Sequence, residues 1–215
     1  MQDINGKTIY STIQEIVDPA HTALVVWDVQ KMLVDFIFNK EEFMNNINLL
    51  IESARSVKIP IFYTSIEMLP TKYESSSRLY TYNKMFARMQ RSMPEKMDMS
   101  PAVDRKECEM VITKHTANIF IGTDFERMVR NAGITTLVFT GILTEIGVES
   151  SARDALNRDF YSVIVSDAVS LSIDKDAHTR SLQIWKGFLL LHLQMRLGYG
   201  SPARFNRKNK SILLC

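Results

Sequence analysis

Short apolar runs rich in β-branched residues alternate with longer stretches whose apolar positions recur at helical spacing. Thr22–Asp28, with Leu24, Val25, Val26 and Trp27 in succession, predicts a buried strand. Glu41–Val57 places Phe43, Ile47, Leu50, Ile51 and Ala54 on one face and predicts a helix. Pro60–Ile66, Glu109–Thr113, Thr135–Thr140 and Ser162–Ser166 repeat the strand signature. Thr123 and Glu126 predict a capping box for a helix through Asn131, with Gly133 as its stop. Glu145–Arg158 and a last helix from Asp174 or Asp176 to about Leu197, ended by Gly198, complete the pattern. Buried strands separated by helices predict an α/β fold, three-layer α/β/α with a mainly parallel sheet. The chain reads as one domain over residues 1–215, with a core of about 20–200 and a basic tail over 201–215.

Two segments break the alternation. Glu67–Ser100 contains Pro70, the run Ser75–Ser77 and a basic, Met-rich stretch from Arg78 to Lys96. It predicts either a lid or binding loop between core strands or a helix packed on the surface. The tail carries Arg204, Arg207, Lys208 and Lys210 before the apolar Ile212–Leu214. It reads as a solvated tail whose end can dock on a neighbouring subunit.

Composition narrows the class. The chain is 46% hydrophobic and 23% charged, with a net charge of +2, too little to call for a nucleic-acid or membrane partner. Its apolar runs fall far short of the roughly 20 residues of a membrane helix, and no apolar leader pattern opens it, so a cytoplasmic location is expected. Cys108 and Cys215 are too few for a disulfide framework and lack metal-ligand spacing. The 12 methionines read as core filler. Absent a G-x-G-x-x-G or Walker pattern, and with no paired histidines, the sequence gives no support for a cofactor or metal.

Candidate chemistry lies at the carboxyl ends of the predicted strands. Asp28 ends the first strand, where partial desolvation would raise its pKa and suit it to general acid–base work; a capping aspartate is the plainer alternative. Lys114 follows the strand Glu109–Thr113 and emerges at the same sheet edge, either as an electrostatic partner or as a solvated lysine. Gly147 lies in the first turn of the helix after the fourth strand. Its N–H, with that of Leu143, could form an oxyanion hole, unless the glycine serves only close helix–strand packing. Cys108 stands six residues before Lys114, about 20 Å along an extended chain, and so is no substitute nucleophile. His21, His115, His178 and His192 read as structural.

Several of these segments together resemble the isochorismatase-like, or cysteine-hydrolase, superfamily. They are Leu24–Gln30, Val111–Lys114 leading into Ala117–Thr123, Gly141–Glu149, Ser151–Ala155 and Val165–Ala168, in family order and at family spacing. The resemblance runs from about Thr22 to Leu190. It implies a three-layer fold with an Asp–Lys–Cys triad, whose positions here are Asp28, Lys114 and Gly147, and a cis peptide at Ile142–Leu143. Members with the cysteine hydrolyse amides through a thioester, whereas isochorismatases proper carry glycine there and use the aspartate to protonate a vinyl ether. The turn Leu143–Glu145 lacks the tyrosine and histidine of isochorismatases, and Thr144–Ile146 resembles the cysteine branch. The resemblance thus implies a hydrolase for a small anionic metabolite with Asp28 as general acid or base, Lys114 beside it, Ile142 and Leu143 at the substrate, and Arg78 or Arg88 as anion clamps. The alternative is a catalytically silent scaffold, or a Cys→Gly variant of an amidase. The metal ligands of nicotinamidases have no counterpart in Ser65–Pro70, which offers Glu67 alone. A homodimer or homotetramer is implied, with Lys84–Met99 and the C-terminus as contact surfaces.

Overall fold

The computed structural model describes residues 2–88, 99–170 and 174–188. Two short strands, β1 (Gln2–Ile4) and β2 (Lys7–Ile9), form a hairpin around Asn5–Gly6, both with positive φ as a tight turn requires. The helical turn α1 (Ile13–Ile16) is closed by a Thr12–Glu15 capping box. Then come β3 (Thr22–Trp27), α2 (Lys31–Val34), α3 (Lys40–Ser56), β4 (Ile61–Ile66), α4 (Ser76–Arg88) and β5 (Met110–Lys114). The second half holds α5 (Phe125–Asn131), β6 (Thr136–Ile142), a π-helical turn over Thr144–Val148, α6 (Glu149–Asn157), β7 (Tyr161–Ser170) and α7 (Lys175–Phe188).

The five long strands form one parallel sheet in the order β5-β4-β3-β6-β7. Side-chain alternation divides the core in two. Leu24, Val26, Tyr63, Val138 and Val163 pack against Phe43, Ile47, Leu50 and Ile51 of α3. Ala23, Val25, Trp27, Leu137, Phe139 and Ile164 pack on the other face against Phe125, Val129, Val148, Ala152 and Trp185. This is the three-layer arrangement that the apolar pattern predicts, because strands buried on both faces read as continuous apolar runs.

Several boundaries differ from expectation. Lys114 is the last residue of β5 rather than the one after it. The expected helix from Glu145 begins instead as the π-turn, and α6 proper starts at Glu149. The Thr123–Glu126 capping box does not form. Asp124 is the N-cap, Thr123 Oγ1 donates to the Ile119 carbonyl, and Glu126 is drawn away by Arg130 and Arg158. Two charged partners outbid one backbone N–H for that carboxylate. Asp174, not Asp176, caps α7 by accepting from the N–H groups of Asp176 and Ala177. Arg88 ends α4, but its side chain lies outside the described residues, as do most of the Met-rich segment, the end of the expected last helix and the basic tail.

Gly141, near the end of β6 and beside the central strand β3, has φ +116°, and a Cβ there would lie 2.1 Å from the Trp27 carbonyl oxygen. Both the backbone conformation and the space exclude a side chain. Gly141→Ala is expected to cost about 3 kcal/mol or more, adding overpacking to backbone strain, read as a fall in denaturation midpoint with unchanged m.

Candidate active site

Parallel strands deliver their carboxyl ends to one edge of the sheet, and β3, β4 and β5 each contribute a polar group there. Asp28 follows β3 directly, with φ +46° and only 5% exposure. Lys114, 1% exposed, reaches back from β5 and donates through Nζ to Asp28 Oδ2 at 2.7 Å. The two strands are separated by β4, so their backbones stand about 9.6 Å apart. A long side chain is needed to close that gap. Thr64 on β4, opposite the end of β3, donates its hydroxyl to Asp28 Oδ1 and accepts the Asp28 N–H at 2.9 Å. Burial pushes the Asp28 carboxyl above its usual range, against the opposing pull of Lys114 and Thr64. Burial likewise pushes the Lys114 ammonium below its usual range, opposed by Asp28.

Asp28 lines a cavity of about 410 Å³, and Lys114 is buried behind it. Trp27, Asp28, Ile142, Leu143, Ile146 and Gly147 line its sheet side, and the Ile142–Leu143 peptide is cis. The opposite wall is α4, which presents Arg78, Thr81, Tyr82 and Met85 at the i, i+3, i+4, i+7 spacing of one helix face. The described part of the excursion between β4 and β5 therefore contains a helix that is, at the same time, a wall of the cavity. Arg78 is an ion-pair partner of Glu74, Nε to Oε1 at 3.5 Å, and the Glu74 side chain is only 3% exposed. Tyr82 is half-buried, and burial pushes its hydroxyl up; Arg78 opposes that shift, while Glu74 and Asp28 add to it.

The structure thus brings together Asp28, Lys114, Ile142, Leu143, Gly147 and Arg78. Thr64 and Tyr82 were not legible as site residues. Thr64 is one of several threonines in strands, and only sheet register sets it opposite β3. Tyr82 was recoverable from its four-residue spacing to Arg78 once α4 was taken as a helix. The methionines divide: Met44 and Met128 pack against the two core layers, whereas Met32, Met68, Met85 and Met99 line the cavity. His115 Nδ1 meets the Glu67 carbonyl at 2.8 Å, and His178 Nδ1 meets Thr144 Oγ1 at 3.0 Å. Thr144 gives its own proton to the Ser170 carbonyl, which leaves its oxygen to accept from His178. Among the described residues no three His, Cys, Asp or Glu side chains gather where they could hold a metal ion.

Gly147 carries the sharpest constraint. A Cβ built there would lie 2.2 Å from Trp27 Nε1 and 2.4 Å from Cε2. The space of a side chain at this position is already filled by the indole.

An isochorismatase domain profile matches residues 22–189. The chain belongs to the isochorismatase family. It is 31% identical over 186 residues, 85% of its length and 89% of the relative's, to an uncharacterised isochorismatase family protein of Escherichia coli O157:H7. It is 26% identical to enterobactin synthase component B of Escherichia coli K12 over 79% of its own length, but spans only 59% of that relative. An isochorismatase family protein from Burkholderia thailandensis superposes with TM-score 0.64 at 27% identity, covering 80% of this chain and 92% of that one. A cysteine hydrolase from Pseudomonas syringae, at TM-score 0.71 and 17% identity over 82% and 91% of the two chains, shares the fold. The family is one of hydrolases, and among the described residues of this chain no helix is long and apolar enough to cross a membrane.

Proposed function

We propose that the protein hydrolyses a small anionic metabolite by acid–base chemistry at Asp28, without a covalent intermediate. The observation that carries this reading is the buried Asp28–Lys114 pair, 2.7 Å apart at the edge of an otherwise largely apolar cavity, with no side chain at position 147. Burial raises the proton affinity of the carboxyl above that of an exposed aspartate, so Asp28 is placed to take up a proton and pass it to substrate. The Lys114 ammonium then stabilises the carboxylate left behind. For a vinyl ether, protonation of the terminal carbon gives an oxocarbenium ion. Water adds to it, returns a proton to Asp28, and the hemiketal collapses to a ketone and an alcohol. Arg78, fixed by Glu74, faces the same cavity and supplies an anchor for a carboxylate.

The test is a panel of candidate substrates against the purified protein. Isochorismate probes the vinyl-ether reaction. Nicotinamide, pyrazinamide and ureidoacrylate probe amide hydrolysis, since ureidoacrylate amidohydrolases and a pyrazinamidase are among the similar proteins. Turnover of isochorismate or a related enol ether, with no adduct on the protein by mass spectrometry, supports the reading. Amide turnover through a covalent adduct overturns it, and inactivity across the panel favours a silent scaffold.

A further inference from the structure

We infer that Trp27 is a positioning residue of the site, whose indole takes the seat of a side chain at position 147 and, through its ring face, holds the Lys114 ammonium against Asp28. This rests on the acid–base reading for its catalytic meaning, although its structural content stands apart from any substrate.

Two glycines cradle this one tryptophan. Gly141 lets the Trp27 backbone approach, since a Cβ there would meet its carbonyl oxygen at 2.1 Å. Gly147 lets the indole approach, since a Cβ there would meet Nε1, Cε2 and Cζ2 at 2.2, 2.4 and 2.6 Å. The indole is packed against the core. It is 1% exposed and belongs to the core cluster that includes Val25, Phe139, Val148 and Ala152. Positions 27 and 147 are therefore coupled, and a large ring at one requires no side chain at the other.

Lys114 supplies the second half of the argument. Its ammonium has three donors, a side chain with no exposed surface, and Asp28 as its ion-pair partner. Its Nζ lies 4.1 Å from the Trp27 ring centroid. A cation over an aromatic face is attracted by the ring quadrupole, most strongly when both are withdrawn from water. The ring gains nothing from a neutral amine. It thus favours the ammonium against the desolvation that would strip the proton, and it keeps beside Asp28 the charge that stabilises a carboxylate after proton transfer. Sheet register explains why the contact exists. Ile112 on β5 and Trp27 on β3 belong to the same core layer, so Lys114, two residues beyond Ile112, emerges on Trp27's face.

The experiment has two arms, and neither needs a substrate. Gly147→Ala is made in the natural background and in Trp27→Leu, with Trp27→Met as a second background, and thermal midpoints are compared. Gly147→Ala is expected to lower the midpoint by about 5–10 °C beside Trp27 and by less than half as much beside Leu or Met. Equal losses in all backgrounds would overturn the shared seat. In the second arm, Lys114 is followed by NMR of its Cε and Nζ nuclei across pH. Trp27→Leu and Trp27→Met are expected to move its titration down by about one pH unit, and Trp27→Phe to restore most of it. A titration unmoved by removing the ring, or moved equally by Phe, would overturn the positioning role. Failure of the acid–base reading would appear separately, as inactivity on the substrate panel with both arms intact.

Discussion

Lys114→Met is expected to destabilise the protein by about 3–5 kcal/mol at neutral pH, because it strands a buried carboxylate without its partner. For a chain of this size that corresponds to a fall of roughly 6–20 °C in the thermal midpoint. The loss should depend on pH in a stated direction. Asp28 is held above its unfolded value by burial even with Lys114 present, and removing the ammonium lifts it further. Between the unfolded value and the raised folded value, the folded state binds more protons than the unfolded one. Stability must therefore fall as pH rises through that window and recover as pH is lowered. Asp28→Asn in the same background should restore most of the loss, since no buried charge remains. Denaturation of the three variants at mildly acidic and neutral pH checks this. A Lys114→Met protein as stable as the parent at both pH values would show that the pair is not an ionic one.

The second large effect is on rate. Asp28→Asn keeps the shape of the side chain and can still accept the Thr64 hydroxyl proton, but it has no proton to transfer at an accessible pKa. Turnover of whichever substrate the panel reveals should fall by at least about 10²-fold, the lower end for a positioned acid or base. The loss should appear in kcat and in kcat/KM alike, as expected for an interaction made only in the transition state. Far-ultraviolet circular dichroism would confirm an intact fold. Near-full activity in the variant would remove Asp28 from proton transfer and leave the pair a structural one.

Periodicity alone made the layers of the fold legible. Strands buried on both faces, such as Leu24–Trp27, cannot avoid being continuously apolar, and α3 cannot pack on the sheet without its stripe from Phe43 to Ala54. Asp28 and Lys114 were equally legible, because the carboxyl ends of parallel strands share one edge and both residues stand at such ends. The sequence also showed that position 147 has no side chain.

What it could not show is why. That Gly147 faces an indole, and not open space, depends on the packing of the turn Thr144–Val148 against Trp27, 120 residues earlier in the chain. The methionines read as core filler because composition carries no direction, yet four of them face the cavity. The capping signal at Thr123–Glu126 failed because Arg158, from another element, competes for Glu126. Local patterns marked most of the helices and strands, since those depend on neighbours within a few turns of chain. The strand order that seats β4 between Asp28 and Lys114, the register that adds Thr64, and the glycine–tryptophan contact are long-range choices. Only the folded chain, by bringing distant side chains into van der Waals contact, makes them.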